Sequence, residues 1–119
     1  MLLVPIFILG CSLLDAQKIP ENGDYKWVMG DMTIYVEISH GKCLSIGRYY
    51  TYRPFFRYRD VVTTGRYPHY VFNRHTGDII INATFIKPDR FVADISFNGE
   101  LIASDAVFIP FVPEEGTTF

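Results

Sequence analysis

From Met32 to Ser39 the side chains alternate strictly: Ile34, Val36 and Ile38 share one face, and Thr33, Tyr35 and Glu37 share the other. A period of two means an extended strand with one buried face, because successive side chains on a strand point to opposite sides. The pattern returns from Arg90 to Phe97, with Phe91, Ala93, Ile95 and Phe97 in one row. Short turn signals separate such runs. His40-Gly41 sends the chain back along Lys42 to Tyr50, and Asn73 to Gly77 leads Tyr70–Phe72 into a strand from Asp78 to Ile86. Lys87-Pro88-Asp89 turns that strand into the next. Asn98-Gly99 accepts the left-handed backbone of a two-residue hairpin and returns the chain along Glu100 to Phe108.

No window of helical periodicity survives between these turns. The expected fold is all-β: a single antiparallel sandwich or small barrel, with about eight strands and a C-terminal four-strand meander. The stretch from Thr51 to Pro68 is long enough for a crossover, so an immunoglobulin-like sandwich is the alternative topology. Pro110 and Pro113 are expected to stop the sheet, because proline lacks the N–H that a ladder needs.

The ends of the chain have a different composition. Residues 1–14 are apolar and carry no charge. That run is short of the ~20 residues that span a bilayer, and it fits the apolar core of a secretory signal peptide. Cleavage after Ala16 would make residues 1–16 the signal. Alternatively, Ile8-Leu9-Gly10-Cys11 resembles a lipobox, which would make 1–10 a lipoprotein signal and leave a lipidated Cys11 as a membrane tether. A third option is an uncleaved anchor or a buried strand. Residues 17–24 are polar and turn-rich and read as a leader. The β domain is expected over 25–112 and a loose tail over 113–119. After either cut Cys43 is the one thiol left in the domain. It reads as a small buried hydrophobe, with pairing of two chains as the alternative.

Charge is unevenly distributed. Residues 48–74 hold six arginines and one acid, a local +5, together with nine of the nineteen aromatic residues. The whole chain is −2, so the flanks carry −7. An acidic chain argues against a general nucleic-acid binder. Arginine and aromatic side chains dominate binding hot spots, and arginine grips carboxylate, sulfate and phosphate bidentately. The candidate binding residues are Arg48, Tyr50, Tyr52, Arg53, Arg57, Arg59, Arg66 and Tyr67. In a strand, Arg57 and Arg59 point one way while Phe56 and Tyr58 point the other, so amphipathic packing with snorkelling arginines is the plain alternative.

Chemistry has little foothold. His40 and Cys43 lie three apart across a turn, with no third residue to orient them. His40, His69 and His75 do not have the spacing of a zinc site. No catalytic residue, metal or cofactor is expected. Asn82-Ala83-Thr84 is a glycosylation sequon, which makes Asn82 a candidate modification site.

The expected function is therefore binding by a secreted or surface-exposed, non-enzymatic protein. Its partner would be an acidic protein surface, an anionic glycan or a lipid headgroup. Nucleic acid is disfavoured, the membrane enters only through a lipid anchor, and self-association is open because the flanks and the middle carry opposite charge. A small barrel carrying an apolar ligand is the alternative. Its lining would be Ile79, Ile81, Ala83, Phe85, Phe91, Ala93, Ile95 and Phe97. In layout, a short apolar leader followed by one strand-rich domain, the chain is similar to small secreted immunoglobulin-like accessory proteins of viruses. That resemblance implies a host-interaction role.

Overall fold

A computed structural model of the protein describes residues 19–52 and 54–112. The expected signal cut at Ala16, the lipidation of Cys11, the tail 113–119 and Arg53 lie outside the described residues. Among the described residues nine strands make one sheet: β1 (Gly23–Met29), β2 (Met32–Ser39), β3 (Lys42–Tyr50), β4 (Phe56–Tyr58), β5 (Val61–Arg66), β6 (His69–Arg74), β7 (Ile79–Lys87), β8 (Arg90–Phe97) and β9 (Glu100–Phe111). Among the described residues there is no helix, and so none long and apolar enough to cross a membrane.

The strand order is β4-β3-β2-β1-β9-β8-β7-β6-β5, antiparallel at every pairing. Two meanders, β1–β4 and β5–β9, are joined through β1 and β9. Following the antiparallel directions around this order, β4 and β5 run the same way. They are consecutive in sequence, with Arg59 and Asp60 between them. They form in effect one bent strand whose first half pairs with β3 and whose second half pairs with β6. The sheet thus curls into an up-and-down barrel with eight staves and one seam. The single curled sheet replaces the two sheets of a sandwich, and it has no Greek-key crossover. The stretch that could have supplied one, Thr51–Pro68, holds the strand that changes partners.

Arg74 clasps the bend. Its guanidinium lies over the Tyr58 ring, 4.1 Å from the centroid. Its Nε donates to Asp60 at 3.2 Å and its Nη1 to Asp78 at 2.7 Å. The backbone adds His75 N–H to the Asp60 carbonyl at 2.6 Å. At the open seam, Cys43 N–H on β3 finds the Thr63 side-chain oxygen on β5 at 2.9 Å instead of a ladder carbonyl. A side chain there satisfies a donor that would otherwise be an exposed edge.

The alternating rows face where their period places them. Ile34, Val36 and Ile38 are buried, as are Ile79, Ile81, Ala83, Phe85, Phe91, Ala93 and Ile95, while Phe97 is only partly covered. Rings fill the interior. Phe91 stacks on Phe108 with centroids 4.6 Å apart, meets Phe85 at 4.9 Å, and meets Tyr25 at 5.4 Å. Both expected hairpin turns carry positive φ at their two central residues: His40 51° and Gly41 75°, Asn98 51° and Gly99 81°.

Two details depart from the sequence reading. The strand expected from Asp78 begins at Ile79, because Asp78 is held in the preceding turn by Arg74 and Thr76. Pro110 does not stop the sheet: it lies within β9 opposite Tyr25. The β8–β9 pairing ends at Phe91↔Phe108, so at Pro110 one side of β9 has no neighbouring strand to receive an N–H. Proline is tolerated at such an edge.

Two buried acids make the barrel sensitive to alkali. Burial pushes the Cys43 thiol from 9.0 up to about 12, against the contrary pull of its hydrogen bond to the Ser45 carbonyl. Burial, with Glu21 and Asp89 adding repulsion, pushes Tyr25 from 10.0 to about 12. The Tyr25 hydroxyl donates to the Glu21 carbonyl at 2.5 Å and so ties the leader to the barrel. A raised folded pKa means that the unfolded chain ionises first. The contribution of these two groups is expected to be level below pH 9 and to fall between pH 9 and 12, as urea midpoints would record. A Cys43→Ala, Tyr25→Phe double variant should lose less over that interval. Gly99→Val should destabilise the domain by about 1 kcal/mol or more, since a branched residue resists positive φ. Thermal melts check this, and an unaltered melting temperature would refute the strained turn.

Candidate functional site

The register of β4 decides which parts of the arginine-aromatic segment face outward. Arg57 stands opposite Gly47, which in turn stands opposite Tyr35. Tyr35 belongs to the outward row of β2, so Arg57 is outward too, while Phe56 and Tyr58 pair with Arg48 and Ile46 on the inward side. Alternation within β4 is thus as expected from the sequence.

Outside the barrel the chain builds a row of alternating contacts. After β3 the loop brings Phe55 back across the outer face, where its ring covers Gly47. A Cβ added at Gly47 would stand 2.6 Å from Cζ of Phe55 and 3.4 Å from Cβ of Tyr35. Phe55 meets Tyr35 at 6.0 Å between centroids, and Tyr35 meets Phe111 at 5.4 Å. A cation sits at each end: Arg57 lies 5.8 Å from the Phe55 centroid, and Lys26 lies 4.8 Å from that of Phe111. Guanidinium and ammonium groups are attracted to ring faces, and the stacking fixes long side chains that would otherwise swing freely. The row crosses β4, β3, β2 and β1, about 15 Å at the usual strand spacing, and takes Phe111 from the end of β9 beside β1.

Carboxylates lie beside it. Asp24 and Glu37 are cross-strand partners on the same face. Burial and then repulsion from Glu37 raise the Asp24 pKa, while Arg57 pulls it down. Glu37 also accepts from the Ser45 hydroxyl at 2.9 Å. Burial and then Tyr49 raise the pKa of Tyr35, which places Tyr49 in the same electrostatic neighbourhood.

The other candidates disperse. Tyr52 is 94% exposed in the loop after β3. Arg59 is exposed at the bend and borders an open groove of about 390 Å³ along the seam, with Lys42, Leu44 and Val62. Arg48 and Tyr50 face inward at the end of the barrel where β3 finishes. Arg66 is exposed at the end of β5, and Tyr67 packs on Phe85 at 5.9 Å, both remote from β4. Arg53 lies outside the described residues. Arg74, counted in the local charge, is occupied by Asp60 and Asp78.

The segment therefore puts Arg57 in the outer row, leaves Arg59 exposed at the bend and Tyr52 exposed in the loop after β3, and sends Arg48, Tyr50, Arg66 and Tyr67 elsewhere. Tyr35, Phe111 and Lys26 were missed because they come from distant parts of the sequence. Gly47 carried a readable signal: glycine inside a strand marks a close approach.

Cys43 and His40 are separated. The thiol is buried and held protonated by desolvation, whereas His40 is exposed in the turn with its Nδ1 against the Ser39 hydroxyl. His69 and His75 lie at opposite ends of β6. Among the described residues no group of three metal-ligating side chains converges. Asn82 is exposed on the outer face of β7. Nearby, the hydroxyl of Thr84 lies 3.2 Å from His69 Nδ1.

Gly47→Ala should displace the Phe55 ring and break the row at that point. The expected result is a loss of roughly 0.5–1.5 kcal/mol, the scale of one aromatic contact, with weaker near-ultraviolet dichroism and faster proteolysis in the loop after β3. A variant as stable and as protease-resistant as the parent would show that Phe55 does not depend on Gly47.

Against this geometry the comparisons are silent: no protein-family model, curated protein or solved structure matches the chain.

Proposed function

We propose that this protein is a non-enzymatic binding protein that docks on an acidic protein surface through the outer face of β1–β4. The observation that carries this reading is the row Arg57–Phe55–Tyr35–Phe111–Lys26, five side chains from four separate parts of the chain aligned on one face. Every member is half-buried, so the row is already ordered and little side-chain entropy remains to be lost on binding. Tyr49 near the end of β3, Tyr52 in the loop after it and Arg59 at the bend are exposed as well. Arginine with tyrosine and phenylalanine is the composition of a hot spot, and loops on a rigid scaffold are where such surfaces sit.

The secreted or surface-exposed location belongs to the same proposal and rests on the apolar start of the chain. A glycan on Asn82 would fit that location, and it would leave the proposed face free because β7 is on the far side of the sheet order from β3. The ring-filled interior speaks for a binding surface over transport of an apolar ligand inside the barrel.

The test is charge reversal at Arg57 and Arg59. The parent should bind immobilised poly-glutamate with an affinity that falls as salt rises, since exposed charges are screened. Arg57→Glu with Arg59→Glu should lose at least about tenfold, equivalent to roughly 1.4 kcal/mol, while its circular dichroism is unchanged. Equal binding by parent and variant sinks the proposal. Strong binding to heparin with none to poly-glutamate would redirect it to an anionic glycan.

A further inference from the structure

A second site, independent of the outer face, lies at the end of the barrel where β3 and β8 finish. Arg48 pairs with Ile34, and Ile34 belongs to the fully buried row. An arginine therefore points into the barrel and lies across its end. Its guanidinium carbon is 5.2 Å from the Phe97 ring centroid, 5.7 Å from Tyr50 and 5.9 Å from Phe56. A terminal nitrogen donates to the Tyr58 hydroxyl at 3.4 Å. Its Nε is sealed from solvent and has no hydrogen-bond partner. Among the described residues no carboxylate pairs with it. Buried polar groups are nearly always satisfied, and a partly buried cation without a counter-charge is costly.

Beside it is a place for an apolar group. Met29, Met32, Tyr50, Phe97, Ile102 and Asp31 line an open hollow of about 230 Å³. Tyr50 and Phe97 are shared: their rings hold the guanidinium and also wall the hollow. We propose that this end of the barrel binds a small monocarboxylate with an apolar body. The body fills the hollow, and the carboxylate bridges Nε and a terminal nitrogen of Arg48 as the Tyr50 ring turns aside.

The chemistry selects one charge and one end. A carboxylate matches the planar fork of a single guanidinium. A dianion would need a second cation, and the nearby Arg74 is taken by Asp60 and Asp78. The volume, below that of drug-sized sites, suits a short chain or a single ring.

The test titrates the full chain with hexanoate, hexanamide, hexylammonium and inorganic phosphate, followed by amide chemical shifts. Hexanoate should give saturable shifts at Arg48, Tyr50, Phe97 and Ile102. It should bind at least about tenfold more tightly than the amide or the amine, a difference of roughly 1.4 kcal/mol. Arg48→Gln should erase the preference for acid over amide. Ile102→Trp, which fills the hollow and leaves Arg48 intact, should weaken hexanoate and hexanamide alike. Equal binding of acid and amide by the parent overturns the proposal, as does phosphate matching hexanoate or the absence of a saturable shift at these residues. If Arg48→Gln fails to fold, the ligand series on the parent and on Ile102→Trp decides alone.

Discussion

An antiparallel sheet leaves two edges of unpaired backbone, and this barrel depends on how one short strand resolves them. Between Phe56 and Arg66 the chain bends at Arg59-Asp60 and exchanges β3 for β6 as its partner. That exchange brings the last edge of one meander against the first edge of the other, while β1 and β9 join them on the far side. Arg74 makes the bend specific by touching the ring before it and the carboxylate within it. A nearly closed curl then forces the inward rows together, and the stacked rings from Tyr25 to Phe108 are the result. Closure comes first in this logic, because an open sheet of these strands would leave the same rings half covered.

The bend also sorts the arginines. Before it, β4 alternates in step with β3, which puts Arg57 outside and Tyr58 inside. At it, Arg59 is left exposed beside a seam where Thr63 stands in for a missing strand. After it, Arg74 is consumed by carboxylates, and Arg66 is carried to the far end of β5. One run of sequence thus supplies a surface cation, a seam cation, a clasp and, in Arg48, a guanidinium lying across the end of the barrel. Charge density along the chain did not translate into charge density in space.

Much of the scaffold was legible because strands and tight turns are local. The bounds of β2, β3 and β8 follow from alternation and from His40-Gly41 and Asn98-Gly99, whose left-handed conformations the structure contains. The miss at Pro110 has a non-local cause: only the end of the neighbouring β8 makes a proline harmless there. The candidate site was half legible. Arg57 and its loop could be read from composition, but Tyr35, Phe111 and Lys26 join them through the pairing of β2 and β9 with β1. Cross-strand register depends on which strands become neighbours, and no short window of sequence holds that information.

What the sequence by itself determined is the all-β class, the inward rows and most hairpins, since each follows from the period-two geometry of a single strand or from the backbone preference of two residues. It also determined that arginine and aromatic side chains would be concentrated in one stretch. Only the tertiary structure decided that the sheet closes as a barrel, that β4 and β5 share one bent strand, and that Arg48 points in while Arg57 points out. Those outcomes depend on contacts between residues far apart in the chain. Their free energy is settled by pairing and burial, and local propensity does not reach them.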